Sequence, residues 1–321
     1  MDEKRVLITG GLGQVGSYLC DALSGMECKV RVVDNFSSCL SYRNPSVEVV
    51  RGDIRDREAV RQLVRDANVV IHCAAQIYVT KSVEDPAFDA DNNVMGTLSL
   101  LDAARDADVE RFVYFSSAAV YGDPVHLPVD EDHPQNPMSP YGVSKLSGEK
   151  YALAFHRAYG IPSTAIRPFN IYSPRQDPSN PYSGVISKFI DRVAGGQRPI
   201  IFGDGSATRD FVSVHDVVDM VTLMIKKDVA VGKVFNCGTG TARTIDSLAH
   251  MVASFYGRRD LTPEHQPARA GDILHSYADI SRARNILGFR PQVILEDGIK
   301  EIVESKMAAG DTDNRTGADR T

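Results

Sequence analysis

A glycine-rich turn near the N-terminus constrains the fold of this chain more than any other feature. The segment Thr9-Gly10-Gly11-Leu12-Gly13-Gln14-Val15-Gly16 directly follows the apolar run Val6-Leu7-Ile8, which is typical of a buried strand. Glycines at such spacing permit a tight turn, a close approach of backbone to a ligand, and close packing of a helix on a strand. The N–H groups that begin the helix favour phosphate. The pattern predicts a strand–turn–helix unit that binds a dinucleotide through Gly10, Gly13, Gln14, Val15 and Gly16.

Strand and helix patterns continue to alternate through the first half of the chain. Short β-branched or apolar runs predict further strands at 30–33, 47–50, 68–72, 111–115 and 163–167. Helical patterns occupy residues 14–23, 93–104 and 141–158. This alternation is typical of a parallel sheet with helices on both faces. We therefore predict an α/β fold built on a Rossmann-type, doubly wound parallel sheet.

The character of the chain changes after residue 170. The segment 173–184 is rich in turn-forming residues and predicts a long surface loop, of the kind that often covers a substrate. A helix at 185–194 and a strand at 199–202 follow, and residues 234–236 are expected to add a strand to the main sheet. We predict a cofactor domain of residues 1–173 with 211–238 returning to it, a smaller, discontinuous α/β substrate domain of 174–210 and 239–308, and a disordered tail at 309–321.

Composition argues against several classes of protein. The 321 residues carry a formal net charge of -6, which offers no basic field for nucleic acid. The 5 cysteines and 8 histidines are scattered without metal-site spacing, so we expect reduced thiols and no metal. No apolar stretch is long enough to cross a bilayer, and the N-terminus lacks a signal-peptide core. We therefore expect a cytoplasmic protein that binds neither nucleic acid nor membrane.

Further cofactor contacts are predicted where strands end. Asp34 ends the second strand, where a carboxylate accepts hydrogen bonds from ribose hydroxyls and repels a 2′-phosphate, so the sequence favours NAD over NADP. A solvated turn aspartate is the alternative interpretation of Asp34. Asp53 follows the third strand, where it could meet the adenine amino group. Ala74, Ala75 and Gln76 follow the fourth, and the small residues allow the backbone to lie against a cofactor.

Candidate catalytic groups follow at Ser117 and in Tyr141-Gly-Val-Ser-Lys145. Tyr141 and Lys145 are four residues apart, so a helix would place both on one face. A nearby ammonium lowers the pKa of a phenol from about 10 toward the range in which it acts as a base. Ser117 leaves the C-terminal end of a strand, where open α/β sheets bind ligands. Taken singly, the pair is compatible with an ordinary helix face, and the serine with a turn.

The glycine turn, Ser117 and the Tyr141–Lys145 pair, in that order, resemble the short-chain dehydrogenase/reductase family. Further motifs resemble its extended branch, which acts on nucleotide sugars. These motifs are 34–38, 72–76, Asn93 with Gly96 and Thr97, 167–172, 203–211 and 269–272. The resemblance covers residues 5 to about 305. Within the branch, the chain is similar to the UDP-glucose 4-epimerases.

The resemblance implies NAD as cofactor, a UDP-sugar as substrate, and a homodimer formed through the helices at 93–104 and 141–158. Tyr141 would be the catalytic base, Lys145 would orient the nicotinamide ribose, and Ser117 would assist at the sugar hydroxyl. The family pattern adds Asn35, Ile54 and Asn93 to the cofactor contacts. It places Asn170, Arg209 and Arg269 on the diphosphate, Phe202 on the uracil and Asp272 on a ribose hydroxyl, with Ser276 beside the sugar. Without the family, each arginine would be taken for a surface charge.

The residues after Ser117 discriminate among the reactions of this branch. Its dehydratases usually carry an Asp-Glu pair there and its uronate decarboxylases a glutamate, whereas this chain has Ala118 and Ala119. The resemblance therefore implies inversion at carbon 4 through a 4-keto sugar, with hydride passing to NAD and back. The small Ser276 suggests that N-acetylated sugars fit as well, and a uronate stays open. Ala270 stands where the family more often has proline, and we attach no functional meaning to it.

Two alternatives remain at the level of sequence. A dehydratase, decarboxylase or reductase would require an acid–base pair from outside the Ser117 segment. A catalytically silent NAD-binding scaffold would not require Ser117, Tyr141 and Lys145, all of which are present.

Overall fold

The structure is a computed structural model that describes residues 4–37, 42–176, 184–269 and 272–317. Strands and helices alternate along these residues. The strands are β1 Arg5–Thr9, β2 Lys29–Asp34, β3 Val47–Arg51, β4 Val69–His72, β5 Arg111–Phe115, β6 Ser163–Pro168, β7 Asn170–Tyr172, β8 Ile200–Phe202, β9 Thr208–Arg209, β10 Phe211–Ser213, β11 Val234–Cys237, β12 Arg243–Thr244, β13 Glu264–Gln266 and β14 His275–Ser276. The α-helices are α1 Gln14–Ser24, α2 Arg57–Val64, α3 Val79–Glu84, α4 Pro86–Ala90, α5 Gly96–Asp106, α6 Pro140–Tyr159, α7 Val185–Ala194, α8 Val214–Lys226, α9 Ile245–Phe255 and α10 Leu295–Gly317.

A seven-stranded parallel sheet forms the centre of the larger lobe. Its strand order is β11-β6-β5-β4-β1-β2-β3. The direction of winding reverses between β1 and β4, and open sheets of this kind bind ligands at the C-terminal ends of the strands beside such a reversal. The prediction of a Rossmann-type, doubly wound α/β fold is confirmed. The returning strand at 234–236 also joins this sheet, as predicted, by pairing with β6.

Both faces of the sheet are covered, which explains the unbroken apolar runs of its inner strands. Every residue of β4 and of β5 is buried, as expected for parallel strands between two helical layers. Apolar side chains of α1 and α8 complete the core on one face. Those of α2, α5 and α6 complete the core on the other. The sheet therefore has a fixed edge of strand ends on which a site can be built.

A second core lies in the C-terminal half of the chain. Helices α7, α9 and α10 contribute buried residues such as Phe189, Leu248 and Ile299. Three short strands, in the order β12-β9-β14, and the pair β13–β8 accompany these helices. Between the two lobes, β7 pairs in parallel with β10. This second core draws residues from both sequence segments, 174–210 and 239–308, that were expected to form a smaller domain.

The structure differs from the sequence prediction at two helices. Residues Asp91–Met95 form a π-helical turn, so α5 begins at Gly96 rather than at Asn93. At the C-terminus, α10 continues to Gly317, where a disordered tail was expected from residue 309. Ile299, Ile302 and Val303 are buried in the second core and anchor the helix that runs on beyond it. Residues 318–321, and most of the predicted loop (177–183), lie outside the described residues.

Over the described parts of the chain, none of the helices combines the length and apolar character needed to cross a membrane.

Candidate active site

The glycine turn is packed so tightly that it excludes side chains. Gly10 has φ +66°, a left-handed conformation, and a Cβ there would lie 2.8 Å from the backbone of Ala74. A Cβ on Gly16 would lie 2.3 Å from the carbonyl oxygen of Gly10. Helix α1 begins after Gly13 without a side-chain cap, so its first N–H groups remain available to an anion. The turn therefore has the tight backbone and the available N–H groups that the predicted contact with a diphosphate requires.

A cavity of about 400 Å³ joins this turn to the predicted catalytic residues. It is lined by residues from the C-terminal ends of several strands and from the start of α6. The predicted residues that it brings together are Gly10, Gly13, Gln14, Val15, Gly16, Ala75, Ser117, Tyr141, Lys145 and Asn170. Cofactor, catalytic and substrate groups predicted from separate motifs thus face one space.

A second, smaller cavity of about 170 Å³ continues from the first and shares Ala75, Ile77 and Tyr78 with it. Asp34 lines this second cavity. Its carboxylate is held at the end of β2 by two backbone N–H groups. Oδ2 accepts from the Leu12 N–H at 3.1 Å, and Oδ1 accepts from the Phe36 N–H at 2.9 Å. A carboxylate fixed in this way has lone pairs left for ribose hydroxyls. The cavity is also lined by the predicted residues Asn35, Ile54, Ala74 and Gln76.

Asp53 and Asn93 line neither of the two cavities, so their contacts with the cofactor stay predictions. Both oxygens of Asp53 accept from Arg55, at 2.9 and 2.7 Å, and these hydrogen bonds lower the pKa of Asp53 to about 2. Asn93 is buried and is used within the protein: Oδ1 accepts from the Gln76 N–H at 2.8 Å, and Nδ2 donates to Ser144 Oγ at 3.0 Å. Asn93 therefore holds the loop after β4 against α6.

Ser117 and Tyr141 meet at the end of β5. Ser117 caps the short 3₁₀ turn Ala118–Val120, and its Oγ accepts from the Ala119 N–H at 3.1 Å. Its hydroxyl proton is thereby left for another partner, and its side chain lies close enough to Tyr141 to lower the pKa of the phenol. Tyr141 lies in the first turn of α6, where Ser139 is the N-cap and Pro140 the first helical residue, both favourable at a helix start. Ser117 is thus positioned by the cap of the 3₁₀ turn, and Tyr141 by the cap of α6.

Lys145 lies one turn further along α6 and is 4% exposed. Its Nζ is 4.7 Å from the centre of the Tyr114 ring, a cation–π contact. Burial lowers the pKa of Lys145 to about 8, while the charges of Cys73, Asp89 and Glu149 act in the opposite direction. A buried ammonium of this kind is placed to donate to a polar ligand in the cavity.

The pKa of Tyr141 departs from the sequence-based expectation. Burial raises it above the ordinary value, the hydrogen bond with Ser117 lowers it, and the charge of Asp89 raises it. The net direction is upward, whereas the spacing of Tyr141 and Lys145 had suggested a lowered pKa. The reason is that desolvation of the phenol outweighs the stabilisation that its neighbours give to the anion.

The remaining predicted substrate residues lie together on the smaller lobe. The guanidinium of Arg269 stacks on the ring of Phe202, 3.7 Å from its centre. Ser276 pairs with Arg209 between β14 and β9, and the charge of Asp272 acts on Arg209, whose pKa is lowered by burial. None of these five lines the 400 Å³ cavity, so the structure groups them separately from Asn170.

Sequence reasoning missed several residues of these surfaces. Arg175 and Gln176 line the main cavity, and Tyr78 lines both. The turn-rich loop that contains Arg175 was the available signal, but no motif marked the individual residue. Lys188 lies close enough to Arg269 for that charge, together with burial, to lower its pKa. A lysine in an ordinary amphipathic helix gave no signal at all.

The fold and this cavity define a class of protein: a dinucleotide-dependent enzyme with the Ser–Tyr–Lys constellation of the short-chain dehydrogenase/reductases. Comparison with known proteins narrows the class. Residues 6–238 match the model of the NAD dependent epimerase/dehydratase family.

Named relatives match nearly the whole chain. A putative UDP-glucose 4-epimerase of Methanocaldococcus jannaschii is 42% identical, over 93% of this chain and 97% of its own length. The UDP-glucose 4-epimerase of Mycolicibacterium smegmatis is 41% identical, over 94% and 97%.

Solved structures also match nearly the whole chain. A UDP-N-acetylglucosamine 4-epimerase of Methanobrevibacter ruminantium, in complex with UDP-N-acetylmuramic acid, has a TM-score of 0.91 at 33% identity, over 96% of this chain and 100% of its own. The UDP-glucose 4-epimerase of Thermotoga maritima, with UDP-glucose, has a TM-score of 0.91 at 37% identity, over 95% and 99%. The Thermus thermophilus UDP-glucose 4-epimerase, in complex with NAD, has a TM-score of 0.85 at 34% identity, over 94% and 98%.

The chain therefore belongs to the NAD-dependent epimerase/dehydratase family. It is an enzyme of the UDP-sugar 4-epimerase group within that family, and its cofactor is NAD.

Proposed function

We propose that this enzyme interconverts UDP-glucose and UDP-galactose by inverting carbon 4 of the sugar. The observation that carries the proposal is that Ser117, Tyr141 and Lys145 line the same cavity as the glycine turn. This arrangement supplies one proton acceptor and one hydroxyl donor for a single sugar hydroxyl. It supplies no second acid–base pair where elimination of water would require one, because the next two residues are Ala118 and Ala119.

The cofactor would lie along the two connected cavities. Gly10, Gly13 and the start of α1 would hold its diphosphate, and Asp34 would accept from its adenosine ribose. When bound, NAD accepts the hydride of carbon 4 and returns it to the opposite face, and its positive charge favours the ionised form of Tyr141. The fit of the turn supports this placement, since a Cβ at Gly10 or Gly16 would occupy the space that the turn needs.

Each of the three catalytic side chains has a separate task. Tyr141 takes the proton of the 4-hydroxyl as the carbonyl forms and gives it back when the carbonyl is reduced. Ser117 donates to the oxygen at carbon 4 and steadies it while its charge changes. Lys145 donates to the nicotinamide ribose and contributes positive charge near Tyr141. The cycle would consume no reductant, because the hydride removed from carbon 4 is returned to the same carbon.

The smaller lobe would bind the UDP part of the substrate. Lys188 lies near Arg269, and Arg209 lies near the carboxylate of Asp272. Guanidinium groups suit phosphate oxygens, so we assign Arg209 and Arg269 to the diphosphate together with Asn170. Phe202 would stack on the uracil, and Asp272 would accept from a ribose hydroxyl. Phe202 is 39% exposed, which leaves part of its ring accessible to a base.

The test of the reaction is an NMR assay of the purified enzyme with UDP-glucose and no added NAD. We expect UDP-galactose to accumulate to equilibrium without a stable keto product, and Tyr141→Phe to lower turnover by about 100-fold or more. A 6-deoxy or decarboxylated product would assign the enzyme to another reaction of the family. Absence of turnover with any UDP-sugar would favour a silent NAD-binding scaffold.

N-acetylated sugars are proposed as a second substrate series. The side chain of Ser276 is small and belongs to the same short sheet as Arg209. One of the similar structures is a UDP-N-acetylglucosamine 4-epimerase. The same NMR assay with UDP-N-acetylglucosamine and UDP-glucuronate measures the preference. Ser276→Tyr should reduce kcat/KM for the N-acetylated sugar more than for UDP-glucose, and equal losses would contradict this role.

We also propose a homodimer through α5 and α6. Large apolar side chains remain exposed on α6 and on the turn before α5, at Met95, Val143, Tyr151 and Tyr159, which are 40% to 55% exposed. Exposed apolar residues grouped on two adjacent helices suit a helical interface. Light scattering should give about twice the chain mass of 35.1 kDa, and Val143→Asp should shift it toward the monomer. A monomeric wild type would contradict the proposal.

A further inference from the structure

Arg175 holds the segment after β7 against the first helix of the sheet. Its guanidinium lies between two aromatic rings, 4.1 Å from the centre of Tyr18 and 4.9 Å from that of Tyr42. It also donates to Asp21 Oδ2 at 2.6 Å. Stacking and a charged hydrogen bond together restrict a guanidinium far more than an exposed ion pair does. We use the name clasp for these four residues, Arg175, Asp21, Tyr18 and Tyr42.

Asp21 is prepared to receive Arg175 by contacts of its own. Its Oδ1 accepts from the hydroxyl of Tyr42 at 2.7 Å and from Asn44 Nδ2 at 2.9 Å. Burial acts to raise the pKa of Asp21, but the hydrogen bonds from Tyr42, Arg175 and Asn44 together lower it. The carboxylate is therefore ionised and oriented at neutral pH, with Oδ2 directed to the guanidinium.

A second connection ties the same segment to the glycine turn. Gln14 Nε2 donates to Ser173 Oγ at 3.1 Å, and Gln14 is the first residue of α1. Arg175 and Gln176 line the same cavity as Gly13, Gln14 and Lys145. Residues 173–176 thus form part of the wall of the cavity in which the cofactor is placed. A dinucleotide bound at the turn would be enclosed on this side by a segment held at both Ser173 and Arg175.

We propose that the clasp controls the release of NAD: the Arg175–Asp21 contact keeps residues 173–176 closed over the start of α1. The inference rests on the proposed placement of NAD at the glycine turn, and it gives that placement a kinetic consequence. A hydride taken from the sugar must return to it, so release of the cofactor within a cycle would strand a keto sugar. A wall that opens slowly prevents this loss.

The decisive measurement is the rate at which NAD leaves the purified holoenzyme, followed by dilution and separation of free from bound cofactor. Arg175→Ala should raise this rate at least 10-fold, and Asp21→Asn should raise it by a similar factor. Because both variants weaken the Arg175–Asp21 contact, and Arg175→Ala also removes the stacking, the double variant should release NAD about as fast as Arg175→Ala alone rather than at the product of the two factors. Arg175→Lys, which keeps the charge but loses the planar stack, should fall between Ala and the wild type.

Arg105→Ala is the matched control. Arg105 also pairs with a carboxylate, that of Asp106 at 3.0 Å, and also lies over a tyrosine, 5.3 Å from the centre of Tyr159. It does not line the cavity, so its removal should leave the release rate unchanged. The thermal unfolding temperature of the NAD-free proteins is measured in parallel. If Arg175 has a purely structural role, Arg175→Ala should lower the unfolding temperature and leave the rate of NAD release unchanged.

The outcomes separate the inference from the proposed function. Fast release in the two clasp variants, with the control at the wild-type rate, supports the clasp. If the wild type retains NAD and Arg175→Ala releases it at the same rate, the clasp is overturned while the placement of NAD stands. If the wild type takes up no NAD even when it is supplied, the placement at the glycine turn and the clasp are overturned together.

Discussion

Ser117 and Tyr141 face one cavity at the end of β5, close enough for the serine to lower the pKa of the phenol, although 23 residues separate them in the chain. The contact depends on the cap that Ser117 forms with the Ala119 N–H, which leaves the hydroxyl proton for Tyr141. Burial raises the pKa of Tyr141, and the influence of Ser117 opposes burial by lowering that pKa. Ser117 therefore influences the proposed base, Tyr141, in addition to its proposed role at the sugar hydroxyl.

The first prediction concerns removal of this hydroxyl. Ser117→Ala should lower kcat by about 100-fold, because a donor aimed at a developing oxyanion is lost. It should also move the acidic limb of the pH–rate profile to higher pH, since burial then raises the pKa of Tyr141 unopposed. Ser117→Thr keeps a hydroxyl and should recover part of the rate. Steady-state kinetics over a range of pH measures both effects, and an unshifted limb in Ser117→Ala would contradict the coupling.

The second prediction follows from the pKa of Lys145, which burial lowers from 10.5 to about 8. The proposed role requires the ammonium, and its population falls as pH rises through about 8. We therefore expect kcat/KM to decline on the alkaline side of pH 8. Lys145→Arg should be slower at every pH but should lose this decline, because a guanidinium stays charged. An unchanged alkaline limb in Lys145→Arg would assign that limb to another group.

Local patterns predicted the parts of the molecule that local chemistry determines. The glycine turn is one example, since Gly10 and Gly16 meet within seven residues of each other and only glycine fits there. The helix of Tyr141 and Lys145 is another, because its cap, Ser139, and its first-turn proline lie directly before the pair. In both cases the interacting residues are close in the sequence, so the sequence pattern predicts the local backbone geometry.

Features that depend on distant contacts were not predictable in the same way. The side chain of Asn93 is hydrogen-bonded to Gln76 and Ser144, which lie 17 and 51 residues away, and its sequence motif indicated neither contact. Arg175 was not singled out, because its function depends on Asp21 and on two tyrosines that belong to other segments. The upward shift of the pKa of Tyr141 likewise reflects burial by the whole fold.

A third prediction compares the two ends of α1. Gly16→Ala should abolish stable NAD binding or folding, since its Cβ would lie 2.3 Å from the Gly10 carbonyl oxygen and 2.6 Å from the Gly11 Cα. At the other end, a Cβ on Gly25 would meet atoms only at 3.4 and 3.5 Å, and its φ of -68° suits any residue. Gly25→Ala should therefore be neutral or stabilise by up to about 1 kcal/mol. Calorimetric NAD titration and thermal unfolding distinguish the two variants, and equal behaviour would contradict the packing argument.

The last prediction concerns His72, which links the glycine turn to the helical layer behind it. His72 is 2% exposed, and its ring nitrogens are hydrogen-bonded to Thr9 Oγ1 at 2.8 Å and to Thr97 Oγ1 at 3.0 Å. Burial, together with the positive charge of Lys145, lowers its pKa from 6.5 to about 3. The native ring therefore stays mostly neutral at pH values where a free imidazole is protonated.

The sign of the effect on stability follows from proton binding. Between pH 6.5 and 3 the unfolded chain binds a proton at His72 that the native protein does not bind. Acidification through this range therefore favours the unfolded state, by up to about 1.4 kcal/mol per pH unit. The stability that depends on neutral His72 is complete above pH 6.5 and is lost as the pH falls toward 3.

Urea unfolding at several pH values between 7 and 4, buffer and salt held constant, measures this contribution. His72→Asn should be less stable than the wild type at pH 7, because it leaves a cavity and loses at least one of the two threonine contacts. It should also lose less of its remaining stability on acidification, since it no longer titrates. The difference in slope between the two proteins isolates His72 from the other acid-sensitive groups. Parallel slopes would show that His72 is not the buried group that makes the fold sensitive to acid.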